Sequence, residues 1–411
     1  MLSFENLASR IDQLKGYILD LQKNMTKRVA IAPPEGDGEF EKAAYLEEQL
    51  RGLKFDEVQR FEVPDDRVSK KVRPSLMAKY YGIDKSRTLW LLTHMDVVPA
   101  GDLTAWKTPP FEIVEDKDGD TIYGRGVEDN QQAIAAAFAL AKALMEAKER
   151  PPVNLGVMIL ADEEVGSTYG LNYLLEHNRD IFGPNDLCIV QDMGDPLGCE
   201  VEVAEKSVYW AKFTTLGKQC HSSMPDDGVN ANVAAMDLLL RLYKKLAERF
   251  PKKDELFNPA ASTFVPTKRE ANVPNVNSVP GKDVSYLDCR LLPCYQFSDL
   301  EQVIKQEIAA VEKEYSVQIQ LEWANAASSK ATDPKHPLVQ NYIRAVEKVH
   351  KTKTKVIGVG GGTFAAEVRN LGLPAVVSGR TYNNPHNPNE KASLQWMLDD
   401  AKVALDVLLN S

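Results

Sequence analysis

Residues 88–98 read TLWLLTHMDVV, an apolar run that closes on His94 and Asp96. Its apolar positions are continuous rather than alternating, so a strand made from it is buried on both faces, as in parallel sheets covered by helices. Four more runs share this texture: Val153 to Ala161, Asp186 to Asp192, Thr354 to Val359 and Pro374 to Ser378. Helical patterns lie between them, and that alternation marks an α/β domain with a largely parallel sheet. Further out, the spacing predicts a helix from about Glu39 to Leu53. Before it, Phe4, Leu7, Ile11, Leu14, Ile18 and Leu21 recur at steps of three and four, an amphipathic stripe that covers its own core or zips to a partner.

Between the third and fourth runs the rhythm changes. An alternating strand near Val208 to Leu216 is followed by a helix Val229 to Phe250, a strand Asp283 to Leu292, a helix Ser298 to Tyr315 and a strand Val317 to Trp323. This reads as an antiparallel sheet with two helices on one side. The expected layout is an α/β domain of residues 1–204 and 326–411, split by an inserted α+β domain at 205–325. The 411 residues accommodate two domains at roughly 150 each.

Composition narrows the function. Forty-nine basic against 59 acidic residues leave a net charge of −10, which speaks against a phosphate-backbone binder, so nucleic acid is not an expected partner. Five cysteines, Cys188, Cys199, Cys220, Cys289 and Cys294, form an odd set without a C-x-x-C pair, the usage of a reducing compartment. Glu5, Arg10, Asp12 and Lys15 interrupt the first twenty residues, which therefore lack a signal peptide's apolar stretch. The longest apolar run, Ala133 to Met145, is broken by Lys142 and is shorter than the roughly 20 residues of a bilayer span. A cytoplasmic protein with no membrane partner is expected.

Candidate chemistry gathers at the ends of the buried runs. His94 and Asp96 stand two apart and so point to the same side of a strand end, where open α/β sheets bind their ligands. The pair suits a metal-bound imidazole oriented by a carboxylate, or a satisfied histidine capping a strand. The next run ends in Asp162-Glu163-Glu164, costly crowding unless a cation, a functional proton or solvent relieves it. The third ends at Asp192. Asp129, in the segment Tyr123 to Asn130, precedes a helix and is a metal ligand or only its N-cap. His386 lies in the Pro-flanked turn Asn384 to Glu390. Two imidazoles with several carboxylates suit Zn²⁺, Co²⁺ or Mn²⁺ rather than a thiolate-bound metal.

The ordered series His94-x-Asp96, Gly-Arg-Gly-x-x-Asp129, Glu163-Glu164-x-Gly-Ser, Asp192 and His386 resembles the co-catalytic dinuclear zinc metallohydrolases. That family includes aminoacylases, glutamate carboxypeptidases, succinyl-diaminopimelate desuccinylases, acetylornithine deacetylases and cytosolic dipeptidases. The resemblance runs from about residue 30 to 411. It implies a zinc-peptidase-like catalytic domain with a ferredoxin-like inserted domain for lid and dimer formation. It implies that His94 and Asp192 hold one divalent ion, Glu164 and His386 the other, and that Asp129 bridges both. Glu163 would be the general base, and Asp96 would orient His94. Relatives have unusual peptide geometry near the matching aspartate; a cis bond is not legible in sequence.

Inside the inserted domain, Leu216 to Pro225 contains His221, whose counterpart in relatives hydrogen-bonds the substrate carbonyl, often in the other subunit. A surface turn is the plain alternative. Asn277 and Arg290 resemble the family's substrate-anchoring pair, since an arginine fork grips a carboxylate bidentately; a salt bridge to a strand neighbour is the plainer reading of Arg290. Gly358 to Thr363 lacks the P-loop and dinucleotide spacings and resembles the family's substrate-facing Gly361-Gly362-Thr363 stretch, although Phe364-Ala-Ala-Glu367 replaces the Asp-Ala-Arg common after it in several branches. The implied activity is hydrolysis of amide bonds in small peptides or N-acylated amino acids by a homodimer with two metal ions, zinc foremost. A catalytically inactive ligand-binding or scaffolding member is the rival, and natural substrate, peptidase versus deacylase action and native metal are not legible.

Overall fold

The computed structural model describes residues 3–411. The chain forms two compact units: the first reaches to Val203 and resumes over Thr332–Val356 and Thr363–Ser411, and the second comprises Ala204–Ala331 and Ile357–Gly362.

The first unit is built on an eight-stranded sheet with the spatial order Glu57–Pro64, Val72–Tyr80, Val153–Leu160, Asp84–His94, Leu187–Val190, Ala375–Val377, Glu200–Glu205 and Lys355–Val359, the last two strands passing into the second unit at Ala204 and Ile357. Its centre is parallel: Asp84–His94 runs alongside both Val153–Leu160 and Leu187–Val190, and the last of these alongside Ala375–Val377. These are the continuous apolar runs, buried on both faces. On one face Trp90, Leu92, Met158 and Val190 pack with Leu171, Leu174, Phe364 and Val368. Gly156 pairs with Trp90 across the ladder, where a Cβ would lie 2.3 Å from the indole, so only glycine lets the ring lie over that strand. The alanine-rich helix Gln131–Ala147 is buried almost all round and packs against the strand Asp84–His94 and the helix Leu394–Leu409.

Several elements depart from the expectation. The hairpin Glu57–Pro64/Val72–Tyr80 and the strand Glu200–Glu205 are additional and pair antiparallel, which makes the sheet mixed. The amino-terminal stripe forms two helices, Phe4–Asp12 and Lys15–Thr26, because Gln13 and Leu14 close tight bonds to Arg10 and Ile11. Its face is nevertheless buried at Leu7, Ile11, Leu14, Ile18 and Leu21.

The second unit has the chain order β-α-β-β-α-β. Its antiparallel sheet runs Thr263–Arg269, Lys282–Leu291, Ser207–Leu216, Gln318–Ala327, and the helices Ala231–Arg249 and Phe297–Tyr315 supply Leu238, Leu242, Ile304 and Val311 to one core with Phe213 and Leu287. This is the ferredoxin-like arrangement. The strand Thr263–Arg269 was not expected from sequence. The boundaries differ too: 326–331 and 357–362, expected in the α/β domain, belong here. The Lys206 amide donates to the Val359 carbonyl, the Gly358 amide to Leu256, and Ser329 to the Ser207 hydroxyl. Among the described residues no helix is long and apolar enough to cross a membrane.

Candidate metal centre

Three neighbouring parallel strands deliver the cluster. Asp84–His94 ends on His94 itself; Val153–Leu160 is followed by Glu163 and Glu164, and Leu187–Val190 by Asp192. Asp129 comes from the loop before the helix Gln131–Ala147, whose N-cap position is Asn130, so Asp129 is not its cap. The Asp129–Asn130 peptide bond is cis. His386 comes from the loop that precedes the short strand Lys391–Ser393.

Asp129 lies between the two imidazoles. Its Oδ1 is 2.9 Å from His94 Nε2 and its Oδ2 3.1 Å from His386 Nε2. On the first side Asp192 Oδ1 is 3.3 Å from the same His94 nitrogen; on the second, Glu164 Oε2 is 3.0 Å from the same His386 nitrogen. Each Nε2 has a single position for a proton yet faces two carboxylate oxygens. Five carboxylates, of Asp96, Asp129, Glu163, Glu164 and Asp192, surround two rings, and Glu164 Oε1 is buried without a hydrogen-bond partner. Buried charge of one sign is costly unless paired, and nitrogen and oxygen donors converging in this way fit divalent cations. Donor atoms of His94, Asp129 and Glu164 lie within 4.8 Å of one another, as do those of His94, Glu163 and Asp192. Glu163 is therefore within reach of a shared ion as well.

The electrostatics follow from this crowding. Burial pushes Glu163 well above the usual carboxylate range, and the charge of Asp192 adds to it. Burial raises Glu164 to about 7 against the opposing bond from His386. Burial alone would favour a neutral His94, but Asp192 and the hydrogen bond to Asp129 outweigh it and hold the ring's pKa well above its ordinary value. Hydrogen bonds to Asp129 and Glu164 raise His386 to about 10. Asp129 is held below its ordinary value by bonds from both rings, despite its burial. Asp96 ties His94 to the glutamate turn: His94 Nδ1 is 3.1 Å from the Asp96 carbonyl and 3.4 Å from its Oδ1, while Oδ2 accepts the Glu164 amide at 3.0 Å.

The second unit holds the remaining candidates. His221 is exposed, with Nδ1 2.8 Å from the Ser223 hydroxyl and Nε2 3.5 Å from Asn277 Nδ2. The bridge between Cys220–His221 and Ser278–Val279 brings those two together. Arg290 makes a two-pronged pair with Asp288 at 2.7 and 3.0 Å and donates to the Gly360 carbonyl at 2.8 Å. Space around Gly361 and Gly362 is open. Thr363, the first residue of the returning first unit, caps the helix Phe364–Asn370 by accepting the Ala365 amide.

Two supporting groups escaped the sequence reading. Arg73 is fully buried, pairs with Glu39, and reaches Asp162 at 3.0 Å, bracing the turn that carries Glu163 and Glu164. Glu39 stands at the start of the helix Phe40–Leu53 and Asp162 in a turn, both distant in sequence from the strand that carries Arg73, so no local pattern links them. Arg125, Glu128 and Glu390 join the Asp129 and His386 loops; their only sequence signal is inclusion in the same motif segments.

Imidazole and carboxylate donors gather at the carboxyl edge of a mixed sheet, and the class, a metallohydrolase, comes from known proteins. The sequence model of peptidase family M20/M25/M40 matches residues 90–410. An uncharacterized metallohydrolase of Methanococcus maripaludis is 37% identical over 393 residues, 91% of this chain and 94% of that one. The chain belongs to peptidase family M20/M25/M40. A succinyl-diaminopimelate desuccinylase of Roseobacter denitrificans is 29% identical over 328 residues, 79% of this chain and 83% of its own. The structure of aminopeptidase PepT from Bacillus cereus superposes with a TM-score of 0.76 at 20% identity, over 96% of this chain and 98% of that one, and shares the fold.

Proposed function

We propose that this metallohydrolase cleaves amide bonds in small peptides or N-acylated amino acids, with two divalent ions held at the Asp129 cluster. The observation that carries the reading is the division of Asp129, one oxygen toward His94 and Asp192, the other toward His386 and Glu164. These residues would hold the ions, zinc foremost and cobalt or manganese as alternatives. Such a pair, when bound, lowers the pKa of a water and polarises the scissile carbonyl. Glu163 takes the attacking water's proton and passes it to the leaving nitrogen, a transfer suited to a carboxylate whose pKa burial has raised. Asp96 holds the His94 ring in orientation. Arg290, by exchanging Asp288 for a substrate carboxylate, and Asn277 anchor the substrate beside the open Gly361-Gly362 segment, which the buried Thr363 ends.

The test is metal analysis after reconstitution with Zn²⁺, Co²⁺ or Mn²⁺ and desalting, followed by assays of dipeptides against N-acyl amino acids. Up to two retained ions per chain are expected, and chelation abolishes hydrolysis while circular dichroism is preserved, since a core of this size stands without metal. A folded protein that keeps no ion overturns the proposal. A protein that retains metal but turns over neither substrate class is the inactive binding member instead.

His221 would stabilise the tetrahedral oxyanion, a role worth several kcal/mol in comparable sites, from its own chain or from a second copy. A homodimer is supported by the exposed Val233, Met236, Leu240 and Tyr243, which share one face of the helix Ala231–Arg249, and by the exposed edge strand Thr263–Arg269. If His221 acts across the dimer, mixing inactive His221→Ala and Glu163→Gln proteins recovers up to about a quarter of wild-type activity, as random exchange predicts for one whole site in each mixed dimer. No recovery after verified exchange assigns His221 to its own chain; full activity of His221→Ala removes it from the mechanism. The free thiols of all five cysteines fit a cytoplasmic setting.

A further inference from the structure

We propose that Glu128, Glu390 and Arg125 form a reciprocal clasp that holds His386 against Asp129 and sets the affinity of one of the two metal positions. The proposal rests on the two-metal reading above. Each of the two loops donates main-chain N–H groups to a buried carboxylate of the other. From the Asp129 loop, Glu128 accepts the amides of Tyr382 at 2.5 Å and Asn384 at 2.8 Å. From the His386 loop, Glu390 accepts those of Gly126 at 3.0 Å, Glu128 at 2.9 Å and Asp129 at 3.1 Å. Arg125 closes the ring of contacts, with Nη1 2.7 Å from Glu390 and Nη2 donating to the carbonyl of His386 itself at 3.1 Å.

The asymmetry between the two imidazoles gives this clasp its role. His94 sits on a central strand with its side chain 1% exposed, whereas the His386 side chain is 54% exposed. His386 also has a φ of 63°, a left-handed conformation that a residue with a Cβ keeps only when its surroundings impose it. Its own packing does not hold it; the bonds to its backbone and to its neighbours Tyr382 and Asn384 do. Glu128 and Glu390 are buried, and a carboxylate is stable in such a place only when its oxygens are satisfied, which they are by groups whose positions fix the turn. Loss of the Glu128 bonds to Tyr382 and Asn384 loosens the His386 loop, whereas Glu390 still holds the Gly126, Glu128 and Asp129 amides and with them the His94 side. These three are positioning residues: they act through His386 and Asp129 and are not among the donors that converge in the cluster.

Glu128→Gln tests this, because the amide keeps one acceptor and turns an NH₂ toward the other main-chain N–H. Metal-free wild type, His386→Ala and Glu128→Gln are titrated with Co²⁺ and followed by visible absorption and calorimetry, with thermal unfolding as the control. His386→Ala identifies the binding step that belongs to the His386 side. Glu128→Gln is expected to weaken that same step by roughly 10- to 100-fold, the usual cost of losing a partner behind a metal ligand, and to leave the other step within about twofold. A wild type that binds fewer than two ions overturns the two-metal reading; a wild type that binds two, beside a Glu128→Gln protein that binds both equally well, overturns the clasp alone. Equal weakening of both steps also overturns it, since the network would then be general scaffolding. If Glu128→Gln does not fold, Arg125→Lys, which keeps the charge and loses the fork joining Glu390 to the His386 carbonyl, carries the same expectation. Failure of both to fold overturns the clasp by making it a requirement of the fold.

Discussion

Glu163→Gln is expected to lower kcat by roughly 10² to 10⁴, the usual contribution of a positioned general base, while metal content and thermal stability stay near those of wild type. Stability should hold for a specific reason. Burial and the neighbouring Asp192 disfavour the ionised form of Glu163 in the metal-free cluster, so an uncharged glutamine of the same shape costs little there. Kinetics, metal analysis and a melting curve on one preparation decide the matter. Loss of metal together with activity would make Glu163 a ligand, as its place within 4.8 Å of the His94 and Asp192 donor atoms also allows, and the roles of Glu163 and Glu164 would be exchanged.

Asp129→Asn should be more severe for the metals. Both oxygens of Asp129 are engaged, one toward each imidazole, and an amide retains only one acceptor and no charge. Both ions should bind more weakly, by more than the roughly 10- to 100-fold that loss of an outer partner costs, and activity at ordinary metal concentrations should disappear. The substitution also removes the charge to which both imidazoles bond, the same bonds that hold Asp129 below its ordinary pKa, so the metal-free protein is expected to melt earlier at neutral pH. Metal titration of Asp129→Asn beside wild type checks this; retention of one ion at wild-type affinity would show that Asp129 serves one side only.

The legible parts of the fold were those in which local pattern and final burial coincide. The segments 89–92, 155–160 and 187–190 of the central strands are apolar throughout because both faces are covered. Val72–Tyr80 is nearly as buried but carries Arg73, Ser75 and Lys79; Arg73 is neutralised by Glu39 and Asp162 from elsewhere in the chain, and no periodicity encodes such a partner. Thr263–Arg269 is a largely exposed edge strand and Glu57–Pro64 a half-buried one, where less burial restricts composition. At the centre, His94, Asp129, Glu164, Asp192 and His386 stood out as scarce or crowded polar groups at strand ends and turns, and the structure brings them together. Arg290 was harder: the same side chain that suits a substrate carboxylate is engaged with Asp288, its neighbour two residues away, which sequence offers equally well.

The three central strands also dictate the dimensions of the centre. His94 and the segments carrying Glu163, Glu164 and Asp192 leave adjacent parallel strands, whose separation of about 4.8 Å belongs to main-chain hydrogen bonding and not to any side chain. Donor spacing is thus inherited from a lattice. A change of volume in the surrounding core leaves that lattice in place, whereas one residue inserted within 84–94 would turn His94 to the opposite face of the sheet. The strand-borne donors therefore depend more on the number of residues that precede them than on the size of most that surround them.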